Sequence, residues 1–116
     1  REDLEVKYEN KEINFKEYTI LITSLLYSMD KIANTVGHYD AYRKNTEFDK
    51  TLTLDVLLPE ETTNSNNVCY NLDANELIKN IKGDLLYLDP PYNSRQYCDA
   101  YHLLENVARW EKPEVG

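Results

Sequence analysis

An aspartate, two prolines and a tyrosine, Asp89-Pro90-Pro91-Tyr92, stand directly behind the apolar run Leu85-Leu86-Tyr87-Leu88. Proline has no amide hydrogen to give a neighbour and forces the residue before it into extended geometry, so a strand ending here stops pairing and continues as a stiff turn. The Asp89 carboxylate and the Pro90 carbonyl are then two acceptors with no donor between them. Two converging acceptors suit a planar NH2 group whose lone pair is delocalised into an aromatic ring. Accepting both amine protons favours a more tetrahedral nitrogen and frees the lone pair to attack an electrophilic methyl carbon, which is electrostatic preorganisation rather than strong base catalysis. Tyr92 adds a flat face for stacking, worth roughly 1–3 kcal/mol per base. The plainer alternative is a rigid turn after a strand.

The elements around this turn decide whether it lines a crevice. Val68-Cys69-Tyr70-Asn71-Leu72 reads as a strand, and Cys69 within it as a small buried filler. Asp73 then caps a helix containing Leu77, Ile78 and Ile81, Gly83 ends it, and residues 84–88 form the next strand. So long a connection implies a right-handed crossover and parallel pairing, with ligands bound beyond the strands' carboxyl ends. Asp73 and Asp89 each follow one strand at that edge. Asp73-Ala74-Asn75-Glu76 is also a capping box, and cap and ligand roles are compatible because a carboxylate has several lone pairs. After the motif, Asn93, Ser94 and Arg95 make a short loop, and Tyr97 to Glu111 reads as a helix stopped by Pro113. A loop entering a helix N-terminus is electropositive, which makes Arg95 a candidate phosphate contact, with an ordinary surface ion pair as the alternative. His102 reads as a packed or surface histidine.

Upstream, residues 1–13 are a charged, solvated lead-in. Asn14 with Glu17 forms a helix start, and Phe15, Tyr18, Ile22, Leu25, Met29, Ile32 and Val36 recur at helical spacing up to Gly37. Between His38 and Asp49 the chain mixes Tyr39, Tyr42 and Phe48 with Asp40, Arg43 and Lys44, a composition that stacks on bases and touches phosphate or packs as a loop. Leu52, Leu54, Val56 and Leu58 alternate with polar residues, as in a strand buried on one face and ended by Pro59. The fold class expected is α/β: a parallel strand-helix-strand unit preceded by a long helix.

Asp89-Pro90-Pro91-Tyr92, its continuation Asn93-Ser94-Arg95-Gln96-Tyr97, the stretch Tyr101-His102-Leu103-Leu104-Glu105-Asn106, and Asn34 to Lys44 upstream together resemble the amino-group methyltransferases that use S-adenosylmethionine. The resemblance is greatest to the adenine-specific DNA methyltransferases of restriction-modification systems, and it spans roughly residues 20–113. It implies a partial Rossmann-like methyltransferase fold, with residues 14–67 on the target-recognition side and 68–116 in the catalytic core. It implies that Asp89, Pro90, Pro91 and Tyr92 hold the target adenine, flipped out of duplex DNA. Asp73, with Asp89, falls on the cofactor side, where an acidic residue accepts a hydrogen bond from the cofactor's adenine. Tyr92, Asn93, Arg95, Tyr97, His38 and Tyr39 fall on the substrate side. No metal is required. The family's glycine-rich cofactor loop has no match among Gly37, Gly83 and Gly116, so that loop is expected upstream or lost, and the chain alone is expected to be inactive and to bind cofactor weakly. Alternatives are an RNA amine methyltransferase of the same fold, or an inactive fragment.

Composition sets bounds on these readings. With 116 residues the chain is at most one small domain, and its net charge of −8 argues against a free-standing nucleic-acid module, since phosphate neutralisation needs a basic surface. Double-stranded DNA as partner therefore requires basic groups beyond Arg43, Lys44, Arg95 and Arg109. Two cysteines, Cys69 and Cys98, lack metal-ligand spacing and fit a reducing compartment, and no apolar stretch nears membrane-spanning length. A bacterial cytoplasmic location is expected.

Overall fold

A computed structural model describes residues 1–45, 50–60, 66–90, 94 and 96–114. Four helices follow in order: α1 (Glu2–Glu9), α2 (Phe15–Ile32), α3 (Ala74–Leu77) and α4 (Tyr97–Arg109). The charged residues at the start of the chain, read as a lead-in, thus contain a two-turn helix. Its Tyr8 ring stacks on Tyr18 of α2 with centroids 4.5 Å apart.

The start of α2 follows from purely local chemistry. The Asn14 side chain accepts from the Glu17 amide at 3.0 Å, and the Glu17 carboxylate accepts from the Asn14 amide at 2.8 Å, so two otherwise orphaned donors are satisfied. The helix ends at Ile32, one turn before the expected Gly37, with Ala33 already extended at ψ 133°. Thr35 and Val36 are β-branched and give the helix little reason to continue. Thr35 instead bridges Tyr42, and Gly37 takes a left-handed φ of +103° within the loop so formed.

Arg1 ties three helices together. Its guanidinium donates to Val107 O (2.9 Å) and Ala108 O (3.3 Å) at the C-terminus of α4, to Glu5 (2.6 Å) on α1 and to Tyr18 Oη (2.7 Å) on α2. The last carbonyls of a helix have no partner within it and carry partial negative charge, so a buried cation with several donors is the complementary group. Its side chain is only 5% exposed, and it also lies over the Trp110 ring at 5.2 Å. Trp110 ends α4 in a left-handed conformation, and its indole donates to Glu2.

The expected α/β class is not what the chain forms. Among the described residues there is no β-strand, only the isolated antiparallel bridge between Thr35 and Tyr42. The stretches 52–58, 68–72 and 84–88 pair with no ladder, and the helix expected before Gly83 is the single turn α3. Alternation of apolar residues marks the faces of a strand, but a strand exists only where a second backbone takes up its amides and carbonyls. Segment 55–57 finds a helix instead. Ser24 Oγ accepts from the Leu57 amide at 2.9 Å and Ser28 Oγ from the Asp55 amide at 3.0 Å, and Lys31 pairs with Asp55 at 2.6 Å. The match is geometric, since residues four apart on a helix rise about 6 Å and alternate residues of an extended chain advance about 6.6 Å.

Burial concentrates where these contacts lie. Ser24 and Ser28 are fully covered, Ile22 and Ala100 nearly so, whereas Leu85 is 90% exposed and Cys69, expected inside, is exposed. The radius of gyration, 17.5 Å, exceeds the roughly 13 Å of a compact domain of about this length. No helix among the described residues is long and apolar enough to cross a membrane.

Candidate functional site

The motif sits at the end of the extended run 84–90. Asp89 and Pro90 are exposed, and no described residue engages the Asp89 carboxylate in a hydrogen bond or ion pair. Among the described residues, none donates to either acceptor that the motif offers. Pro91, Tyr92, Asn93 and Arg95 lie outside the described residues.

Asp73 performs its expected capping. Oδ1 accepts from the amides of Asn75 (2.8 Å) and Glu76 (3.3 Å), which leaves Oδ2 outside the cap. Around it Tyr70, Leu72, Glu76, Leu77, Asn80 and Ile81 line a hollow of about 470 Å³ with a largely apolar wall. Such a volume lies within the usual range of small-molecule sites, roughly 300–1,000 Å³. An aromatic heterocycle bearing an amino group fits this chemistry: apolar walls for its faces, one carboxylate oxygen for its N–H. Asp89 is not part of this hollow.

The aromatic loop is held against the helix that follows the motif. The Tyr39 amide donates to Ala100 O at 2.7 Å, in the first turn of α4, and the Tyr39 hydroxyl donates to Asp30 Oδ1 of α2 at 3.2 Å. Burial first, then the Asp30 carboxylate, pushes the Tyr39 hydroxyl above its ordinary pKa. His38 pairs with Asp40. At the loop's base the Asn34 side chain donates to Arg43 O at 3.0 Å, and Tyr42 beside it is 70% exposed. Tyr97 and Tyr101 form a tilted pair 5.7 Å apart on the exposed face of α4, above a shallow groove that also takes in Cys98 and His102.

The structure thus joins the His38–Tyr39 loop to the helix carrying Tyr97, and places the Asp73 hollow as a separate feature. Asp30, Ser24 and Ser28 were not singled out from sequence. Two serines four residues apart on an otherwise apolar helix face were a usable signal, because buried hydroxyls require partners. Asp30, an acidic residue near a helix end, carried none. Among the described residues no group of three or more His, Cys, Asp or Glu gathers as metal ligands would.

Comparison with known proteins gives the family. The model of the D12 class N6 adenine-specific DNA methyltransferases matches residues 1–116, and the chain belongs to that family. Among curated relatives, modification methylase LlaI of Lactococcus lactis subsp. lactis is 38% identical over 99% of this chain. Modification methylase StsI of Streptococcus sanguinis and type II methyltransferase M.NlaIII of Neisseria lactamica are each 48% identical, over 85% and 81% of it. The chain spans only 19%, 15% and 28% of the lengths of these three relatives, respectively. No solved structure matches it.

Proposed function

We propose that the complete protein transfers a methyl group from S-adenosylmethionine to the exocyclic amine of adenine at a specific site in duplex DNA. The observation that carries this reading is Asp89-Pro90-Pro91-Tyr92, its carboxylate exposed and engaged by no described residue, in a chain that the D12 family covers from end to end. Asp89 and the Pro90 carbonyl accept the two amine protons and turn the nitrogen lone pair outward. Pro91 keeps the turn stiff, and Tyr92 stacks on the base. An adenine inside a duplex is out of reach, so the base leaves the helix first, a step that costs a few kcal/mol and that stacking partly offsets. Asn93, Arg95 and Tyr97 beyond the motif, and His38 in the loop that Tyr39 pins to α4, attend the displaced strand.

Asp73, with the free oxygen beyond its cap, is the residue to hold the cofactor's adenine in the hollow it shares with Leu72 and Ile81, and Asp89 borders the cofactor from the motif side. When bound, S-adenosylmethionine supplies an electrophilic methyl sulfonium. The protein's own contribution is positioning and charge complementarity at the amine.

Asp89→Ala in the complete protein tests this assignment through incorporation of labelled methyl into unmethylated duplex DNA. Loss of one preorganised partner lowers turnover by about 10²- to 10³-fold, more than it weakens cofactor binding. The exposed position keeps the thermal midpoint close to that of the parent. Full turnover in the variant refutes the role, and methylation of RNA but not DNA by the parent refutes the substrate.

A further inference from the structure

Loop 34–43 is closed on itself and fastened by four contacts, two at its base and two at its tip. Its base is held by the Asn34 side chain on Arg43 O and by the Thr35–Tyr42 bridge. Its tip is held by Tyr39, whose amide reaches Ala100 O and whose hydroxyl reaches Asp30 Oδ1. These last two bonds run to different helices. Ala100 belongs to the helix that follows the motif in sequence and is one of the few nearly buried apolar residues, so its carbonyl is a fixed point. Asp30 sits in the last turn of α2, which is itself tied through Arg1 to the far end of α4.

The return arm of the loop has a different character. Tyr42 exposes 70% of its surface, and Arg43 and Lys44 after it are exposed. A ring followed by two cations suits a nucleic-acid strand, the ring stacking on a base and the cations facing phosphates. In a chain of net charge −8 such a patch is effective only if it is held at the right place. Tyr39 and Tyr42 therefore divide the work: one faces inward as an anchor, the other is presented outward.

We propose that Asp30 is a positioning residue for DNA: through the Tyr39 hydroxyl it fixes the loop against α4, so that the Tyr42-Arg43-Lys44 arm meets the strand engaged by the motif. This rests on the methyltransferase reading above and assigns a role to a residue that contacts neither base nor cofactor.

The test uses the complete protein and unmethylated plasmid DNA, with KM for DNA and for S-adenosylmethionine determined separately. Asp30→Ala and Tyr39→Phe each raise the KM for DNA about 3- to 10-fold, the scale of one hydrogen bond to a charged partner at a partly exposed site. The KM for S-adenosylmethionine and kcat stay within about twofold. Asp30→Asn retains an acceptor and recovers most of the DNA affinity, and the double variant Asp30→Ala with Tyr39→Phe is no worse than either single one, because both remove the same bond. A DNA KM unchanged in Asp30→Ala overturns the inference, as does a parallel rise in both KM values, which marks general loosening. In either case parent activity lost through Asp89→Ala leaves the methyltransferase reading standing. A parent protein that methylates no DNA overturns both.

Discussion

Asp73→Asn separates the cap that the Asp73 carboxylate makes from the cofactor contact proposed for its other oxygen. The cap uses Oδ1 alone, accepting from Asn75 at 2.8 Å and Glu76 at 3.3 Å, and an asparagine oxygen in the same place accepts equally well. What changes is the second atom: the free carboxylate oxygen becomes an NH2 that donates where the cofactor's adenine also donates. A hydrogen bond to a charged acceptor contributes about 1.5–3 kcal/mol, and tenfold in affinity corresponds to about 1.4 kcal/mol. Because Asp73 stands in an open hollow at an exposed site, the lower end applies, and the dissociation constant for S-adenosylmethionine rises roughly 10- to 30-fold. Asp73→Ala loses the same contact and also the cap, about 1 kcal/mol, which falls on the single turn α3. Calorimetric titration of the complete protein, with a thermal melt of each variant, reads both effects. An Asn variant that binds cofactor as tightly as the parent refutes the ligand role and leaves Asp73 as a cap only.

Two further outcomes follow from the packing. Ser24→Ala or Ser28→Ala leaves the amide of Leu57 or Asp55 without its acceptor and costs about 1–2 kcal/mol, less a few tenths for alanine's helix propensity; a double variant within about 0.5 kcal/mol of the parent in denaturant unfolding rules out this docking of segment 55–57. The Glu5 carboxyl is held below its ordinary range by the Arg1 guanidinium and then by the Tyr18 hydroxyl. The stability it contributes is therefore present above the ordinary carboxylate pKa of 4.5 and is lost as pH falls through the depressed value. Glu5→Gln flattens the loss of thermal midpoint on acidification, and an unchanged slope shows that other carboxylates govern it.

What was legible in the sequence was local. Asn14 with Glu17, and Asp73 with its following amides, are contacts between residues two or three apart, and such contacts need nothing from the rest of the chain. Helix α4 was likewise recoverable from its own periodicity to within two residues of its end. The strands were not, although their patterns were equally regular. Leu52, Leu54, Val56 and Leu58 alternate, yet the amides of Asp55 and Leu57 are taken by serines on a helix. Leu85, Leu86, Tyr87 and Leu88 form an apolar run and remain exposed. A period of two says which side chains share a face; it does not say what that face, or the backbone edge beside it, will meet.

The same distinction applies to the site. A chemistry can be proposed for Asp89 and Pro90 from sequence because proline restricts its own backbone and that of the residue before it, whatever surrounds them. Tyr39 is the opposite case: as a tyrosine among basic residues it reads as a stacking ring, and its hydroxyl and amide turn out to be occupied by Asp30 and Ala100, residues 9 and 61 positions away by subtraction of their numbers. Composition assigns an aromatic loop to a ligand, but only the destination of each polar group tells an anchor from a contact. By that criterion Tyr42, exposed over 70% of its surface, is the tyrosine of this loop, among the described residues, that remains available to a base. Alanine at Tyr42 therefore weakens DNA binding by removing a contact, whereas phenylalanine at Tyr39 weakens it by releasing a support.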